Sequence, residues 1–303
     1  MKKTIFTLLV LSILAVPCRL LAWNSIGHST GGALTYYILK RDNPAVVSKI
    51  LATLALHPWY NNKWHDKLAG LTAQQKEVAL FMLASTFPDD ARNTSYDRPT
   101  WHYIDYPFAP PGQGGTPENA PVPNAETKID SLLGALKTAP DNADKAVGIC
   151  WLLHLVEDIH QPLHATGLFT SKFPHGDHGG NFVYIKLSPA TDSVKLHSYW
   201  DRLIKGSFST IPALAQQRLI DSQYALPRLT ELTTHKKLHE WLVDESFALA
   251  KSDAYANGRI NGDKHHPVLV DQAYISKAKV IAERRIVLSG YRLASLLTTI
   301  YTG

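Results

Sequence analysis

Several short stretches of this chain place histidines and carboxylates at spacings that let them share a metal ion. The densest is His154-Leu155-Val156-Glu157-Asp158-Ile159-His160-Gln161-Pro162-Leu163-His164. On a helix, His154 and Asp158 are i and i+4 and meet on one face. Glu157, at i+3, is not excluded by spacing. Pro162 ends a helix near Gln161, so His164 falls on a turn able to point back. His197 and Asp201 repeat the i, i+4 interval, and further donors lie in Phe87-Pro88-Asp89-Asp90-Ala91-Arg92, Trp101-His102-Tyr103-Ile104-Asp105 and Trp23-Asn24-Ser25-Ile26-Gly27-His28. Nitrogen and oxygen donors with almost no cysteine suit zinc in an open, catalytic site rather than a closed cysteine-rich one.

The segment 1–22 bears on both charge and chemistry. Lys2 and Lys3 precede an apolar run from Ile5 to Val16, too short to span a bilayer, and Leu20-Leu21-Ala22 offers a small residue before a cut. It is expected to be a secretory signal peptide, which makes the mature protein secreted or periplasmic. Cleavage removes Lys2, Lys3 and Arg19 and no acid, so the formal charge of +5 falls to +2. The basicity therefore belongs mostly to targeting and is no argument for nucleic acid. Cleavage before Trp23 also frees an α-amine with a pKa near about 8, a metal ligand once deprotonated. Cys18 leaves with the signal, which rules out an intrachain disulfide; Pro17 disfavours lipidation at Cys18. Cys150, in the run Ala146 to Val156, is expected to be a buried structural thiol.

The elements that must position these donors are mostly helical. Apolar residues recur at intervals of three and four in roughly 28–41, 45–57, 73–86, 125–139, 142–161, 210–222, 236–251 and 267–300. Thr72 and Asp144 suit helix starts, as does Asn43 before Pro44. The best strand signal is Phe182 to Leu187, half of a small hairpin. Irregular stretches run from Tyr106 to Asn124, rich in proline and glycine, and from Ser171 to Asn181. With no internal repeat and no linker, residues 23–303 are expected to form a single catalytic domain without a membrane anchor.

The histidine-bearing blocks, together with Asp177-His178-Gly179-Gly180-Asn181, resemble the zinc-dependent single-strand nucleases of fungi, which have plant bifunctional nucleases and protozoan 3′-nucleotidases as relatives. The blocks run from Trp23 to Asp201, about two thirds of the mature chain. The resemblance implies a mainly α, single-domain phospholipase C/nuclease-type fold with a small β-hairpin and long active-site loops. It implies three zinc ions: one on Asp89, His102, His154 and Asp158; a second on the Trp23 α-amine and carbonyl, His28 and the bridging Asp158; a third on His164, His197 and Asp201. It also implies that Arg92 stabilises the attacked phosphate, that Tyr103 stacks on a base, that Asp105 contacts the base and that Asn181 lines the cleft. The expected substrates are single-stranded DNA and RNA or 3′-nucleotides, cut by metal-assisted hydrolysis to 5′-phosphates. No stable protein partner is implied and a monomer is expected. Phe87 departs from the family, which usually has Trp there. A zinc phospholipase C and a periplasmic zinc-binding protein without turnover are the alternatives. His57, His65, His160, His175, His178, His235, His239, His265 and His266 match no ligand position and are expected at the surface or behind the ligands.

Overall fold

The computed structural model describes residues 23–303; the expected signal peptide and Cys18 lie outside them. The fold is mainly α, as the residue pattern implied. Helix α1 (Ser25–Asp42) is followed by α2 (Pro44–Leu54), the short α3 (His65–Leu68), α4 (Ala73–Asp90), α5 (Ala125–Thr138) and α6 (Ala143–Asp158). After a region of loops and short strands come α7 (Leu196–Asp201), α8 (Ile211–Ile220), α9 (Glu231–Thr234), α10 (Leu238–Glu240) and the long α11 (Gln272–Thr302). Among the described residues no helix is long and apolar enough to cross a membrane.

Local chemistry sets the helix ends. Asn24 accepts from the Gly27 amide at the start of α1. Thr72 and Gln75 form a reciprocal capping box at α4, satisfying two amides that the first turn leaves free. At α6 the cap is Asn142, whose side chain accepts from Lys145, not the expected Asp144. Asp144 lies inside the first turn, where an acid interacts favourably with the helix dipole without capping it. Asn43 precedes Pro44 as expected, but its side chain makes no capping bond.

Helix α1 lies at the centre, packed by α4, α11, α6 and α8. It is wrapped on all sides, and its residues from Gly27 to Tyr36 are buried. The approach of α4 is close enough that a Cβ on Gly32 would come within 2.6 Å of the Phe81 carbonyl oxygen. Phe87 fills its fully buried position by edge contacts with His57, Trp59 and Trp64. Cys150 is buried and free.

The expected hairpin exists, enlarged by one strand. Strand β3 (Tyr184–Lys186) pairs antiparallel with β4 (Val194–Lys195) and parallel with β5 (Val268–Leu269). Two other short strands, β1 (Pro107–Phe108) and β2 (Gly167–Leu168), pair in parallel and pin the proline-rich stretch beside the turn that carries His164. The expected helix over 236–251 is mostly π-helical, at Trp241–Phe247 and Ala250–Ala254. Such wide turns shift side-chain register, and here they bring Glu245 and Ser246 inward.

Candidate metal centre

The donors arrive from separate elements at one buried place. α1 brings His28 near its N-terminus, the last turn of α4 brings Asp89, and α6 brings His154 and Asp158. His102 comes from a turn whose next residue but one, Ile104, donates its amide to the His164 carbonyl at 2.6 Å. Gln161 caps the 3₁₀ turn Pro162–Ala165 that carries His164, and α7 carries His197 and Asp201.

Around Asp158 the spacing fits an ion. His102 Nδ1 and His154 Nε2 are each 3.2 Å from Asp158 Oδ2 and 2.9 Å from one another. Asp89 Oδ1 lies 3.9 Å from His102 Nδ1 and 3.8 Å from His154 Nε2. A tetrahedral zinc with ligands at about 2.0–2.1 Å separates its donors by about 3.3 Å. The other Asp158 oxygen, Oδ1, is 3.4 Å from His28 Nε2 and 3.6 Å from His164 Nδ1. Beyond it, His197 Nε2 is 3.5 Å from Asp201 Oδ2, and His164 Nε2 is 4.0 Å from Asp201 Oδ1. Three groups of donors result: His28 with Asp89 and His154; His102 with His154 and Asp158; and His164 with His197 and Asp201.

A ring of acceptors orients the imidazoles. His154 Nδ1 donates to the Ser85 carbonyl at 2.8 Å, His164 Nδ1 to the His102 carbonyl at 2.7 Å, and His197 Nδ1 to the Gly179 carbonyl at 2.6 Å. A carbonyl accepts only from N–H, so each bond fixes the tautomer and leaves Nε2 with its lone pair. His28 Nδ1 meets Glu157 Oε2 at 2.7 Å. Among the described residues, His28 Nε2, His164 Nε2, Asp158 Oδ1 and Asp201 Oδ2 are buried without a hydrogen-bond partner. Orphaned buried polar atoms are costly, and these four, lying among the grouped His and Asp donors, fit bound cations. His102 is the exception, turning Nδ1 to the cluster while its Nε2 has no partner.

Electrostatics agree with that fit. Burial alone would raise Asp158, but His154 and His164, with hydrogen bonds from His102 and His154, hold it well below the carboxylate range. Burial likewise opposes ionisation of Asp89, and His154, His102, His28 and Arg92 outweigh it. Burial and the neighbouring His154 push His28 down to about 4, and burial lowers His164. Burial, with the nearby Asp158 and Asp89 carboxylates, pushes Asp201 well up against the opposing pull of the Gln161 hydrogen bond and Arg202.

Trp23 is fully buried, its indole N–H donating to the Glu157 carbonyl at 3.0 Å. The next residue donates its amide to the Asp201 carbonyl at 3.3 Å, so the main chain here lies between the ends of α6 and α7. Arg92 Nη2 donates to Asp89 Oδ1 at 2.6 Å and is partly exposed beside the cluster. Tyr103 and Asp105 flank Ile104 with intermediate exposure, and burial raises the Asp105 carboxyl to about 6. Asn181 is buried and its Nδ2 closes its own turn on the His178 carbonyl at 2.9 Å.

Several further residues hold the donors from behind. Glu157 supports His28 and also accepts from Ser85 Oγ at 2.9 Å. Gln161 donates to Asp201 Oδ1 at 2.8 Å. Asp177 accepts from the Leu168 and Gly180 amides and from the Tyr255 hydroxyl, holding the turn that supplies the Gly179 carbonyl. The motif spelling included Gln161 and Asp177 but gave neither a task. Two of the histidines expected at the surface or behind the ligands are buried. His57 is buried and stacked on Trp64 at 4.3 Å between ring centroids, and burial pushes it down to about 4. His160 is buried against Arg285 and Arg292, which together with desolvation keep it neutral.

A family model described as S1/P1 Nuclease matches residues 23–302. The chain is 28% identical over 192 residues to Endonuclease 5 of Arabidopsis thaliana, covering 58% of this chain and 60% of that protein. It is 26% identical over 196 residues to Endonuclease 4 of the same plant, covering 55% and 57%. The matched stretch thus spans less than two thirds of either relative.

Proposed function

Because the chain belongs to the S1/P1 nuclease family, we propose that it hydrolyses phosphodiester bonds of single-stranded DNA and RNA to 5′-phosphate products. The same bond broken at a terminus makes it a 3′-nucleotidase as well. In this reading the mature enzyme starts at Trp23, is secreted or periplasmic, and works as a monomer. The observation that carries the proposal is the set of orphaned nitrogen and oxygen atoms around Asp158 and Asp201.

Three zinc ions would be held by Asp89, His102, His154 and Asp158; by Trp23, His28 and Asp158; and by His164, His197 and Asp201. When bound, zinc would supply the positive charge that polarises a scissile phosphate. The remaining work falls to the chain. Asp158 presents its two oxygens to different histidines and so ties the first two donor sets together. Arg92 spends one guanidinium nitrogen on Asp89, and its other donors are left to meet phosphoryl oxygens. Tyr103, next to His102 and partly exposed, offers a face for an unpaired base, worth about 1–3 kcal/mol and tolerant of sequence. Asp105 would take hydrogen bonds from that base, and Asn181 would add its Oδ1 and the amide N–H not spent on the His178 carbonyl. A duplex should be a poor substrate, because the base must leave the stack to reach Tyr103.

The decisive experiment assays denatured DNA, duplex DNA, RNA, 3′-AMP and phosphatidylcholine side by side, with zinc counted by elemental analysis. Cleavage of the single strands and 3′-AMP with three zincs per chain is expected. Lipid cleavage without nucleic-acid cleavage would establish the phospholipase instead. Zinc binding with no turnover would establish a binding protein.

A further inference from the structure

A second ionic cluster lies away from the metal centre, between the π-helical stretch Trp241–Phe247 and α11. Arg285 and Arg292, both buried, share the single carboxylate of Glu245. Arg285 Nη1 and Arg292 Nη1 donate to Glu245 Oε2, and Arg292 Nη2 donates to Oε1 at 2.5 Å. His235 Nδ1 reaches the same Oε1 at 2.8 Å. Two guanidiniums on one carboxylate leave a positive charge in excess. The carbonyls of His160, Trp241 and Glu231 accept further N–H groups without bringing a charge. The Glu231 carboxylate is itself occupied by Arg284. Arg292 Nε is buried with no partner among the described residues.

Beside this cluster opens a cavity of ≈ 460 Å³, walled by His235, Lys236, Trp241, Tyr291, Arg292 and Ser295 among others. Among the described residues no acidic side chain lines it. Lys236 is exposed at its wall and adds a second cation. Buried charge is costly unless paired, and this cavity stands where a counter-charge would fit.

We propose that the cavity binds a phosphate group, free or carried by a nucleotide, between Arg292 and Lys236. The two aromatic rings of the wall give a nucleotide more to hold than phosphate alone. The site is also in contact with the metal-bearing turn. Arg292 Nη1 is 2.8 Å from His160 Nε2, and His160 Nδ1 donates to the Val156 carbonyl within α6 at 2.6 Å. Ser246 Oγ, held by Arg285, donates to the Ile159 carbonyl at 2.5 Å. A phosphate drawn to Arg292 therefore pulls on the residue that lies between Asp158 and His164.

The test titrates the zinc-loaded protein calorimetrically with inorganic phosphate and, separately, with 5′-AMP, in wild type and in Lys236→Glu. Lys236 is on the surface, so the variant keeps its fold, checked by its melting curve. Wild type is expected to show a binding step that weakens by about tenfold or more in the variant, because like charge is placed at the mouth. Phosphate held only at the metal centre gives identical isotherms in the two proteins and overturns the proposal. Tighter binding of 5′-AMP than of phosphate, lost in Lys236→Glu, identifies a nucleotide as the ligand; equal binding of both identifies the free ion.

Discussion

His28 Nδ1 lies 2.7 Å from Glu157 Oε2, with both side chains fully buried. Burial pushes the Glu157 carboxyl well above its usual range, and burial with the nearby His154 pushes His28 down to about 4. Left to themselves the two groups favour being neutral. A cation at His28 Nε2 keeps the imidazole neutral but needs Glu157 ionised, so that Nδ1 carries the proton and donates it in a hydrogen bond to the carboxylate. Glu157, beside the ligand Asp158 in sequence, is thus the residue that fixes the tautomer of His28.

Glu157→Gln should therefore weaken zinc binding by about 10–100-fold, as loss of a supporting partner commonly does, while the helical circular dichroism is kept. Competition with a chromogenic chelator measures it. An unchanged zinc affinity would remove Glu157 from the centre.

Gly31 gives an independent handle on the same carboxylate. A Cβ there would come within 2.5 Å of Glu157 Oε1 and 2.6 Å of its Cδ. On a helix, Gly→Ala ordinarily gains up to about 1 kcal/mol. Here the methyl must displace Glu157, so Gly31→Ala is expected to lose about 1–3 kcal/mol by overpacking and to loosen zinc at His28. Urea unfolding with and without zinc reads both effects. A stabilised variant with normal zinc content would show that Glu157 moves aside freely.

The donor residues were legible because two of their pairs sit at i, i+4 on helices, where sequence distance converts directly into spatial distance. His154 with Asp158 and His197 with Asp201 are such pairs, at 3.2 and 3.5 Å. Helix boundaries were legible to within a few residues for the same reason. What stayed hidden depends on tertiary packing. Glu157 and Asp158 are neighbours on one helix, and only the approach of α1 and Ser85 decides that Glu157 faces the back of His28. His160 carried no mark distinguishing it from a surface histidine, since its partners Arg285 and Arg292 are more than a hundred residues away. The π-helical turns that aim Glu245 at those arginines keep an ordinary helical pattern in the sequence.

The N-terminus offers a second kind of test. If the Trp23 amine is a ligand, one extra residue ahead of Trp23 in the mature protein converts it to an amide, which has no lone pair to give. Such an extension should cost one zinc per chain and reduce turnover by about 10²-fold or more, as loss of a catalytic metal ligand does. Mass spectrometry fixes the N-terminus and elemental analysis counts the metal. Full activity with three zincs would show that the chain supports the second ion without its terminus.

Asp177 makes stability depend on pH. Burial raises its carboxyl to about 7, against the pull of hydrogen bonds from the Leu168 amide and the Tyr255 hydroxyl. An acid whose folded pKa lies above its unfolded value holds its proton more tightly in the folded protein. Its contribution to stability is therefore complete below about pH 4 and is lost as pH rises through about 7. Asp177→Asn removes that titration but also one acceptor, so the variant should be less stable at every pH. Its deficit relative to wild type should shrink between pH 4 and 7, because only wild type loses stability across that range. Melting curves of both proteins in chelator, which removes the pH dependence of metal binding, give the comparison. A deficit that grows with pH would mean that the three donors stabilise the carboxylate more than burial penalises it.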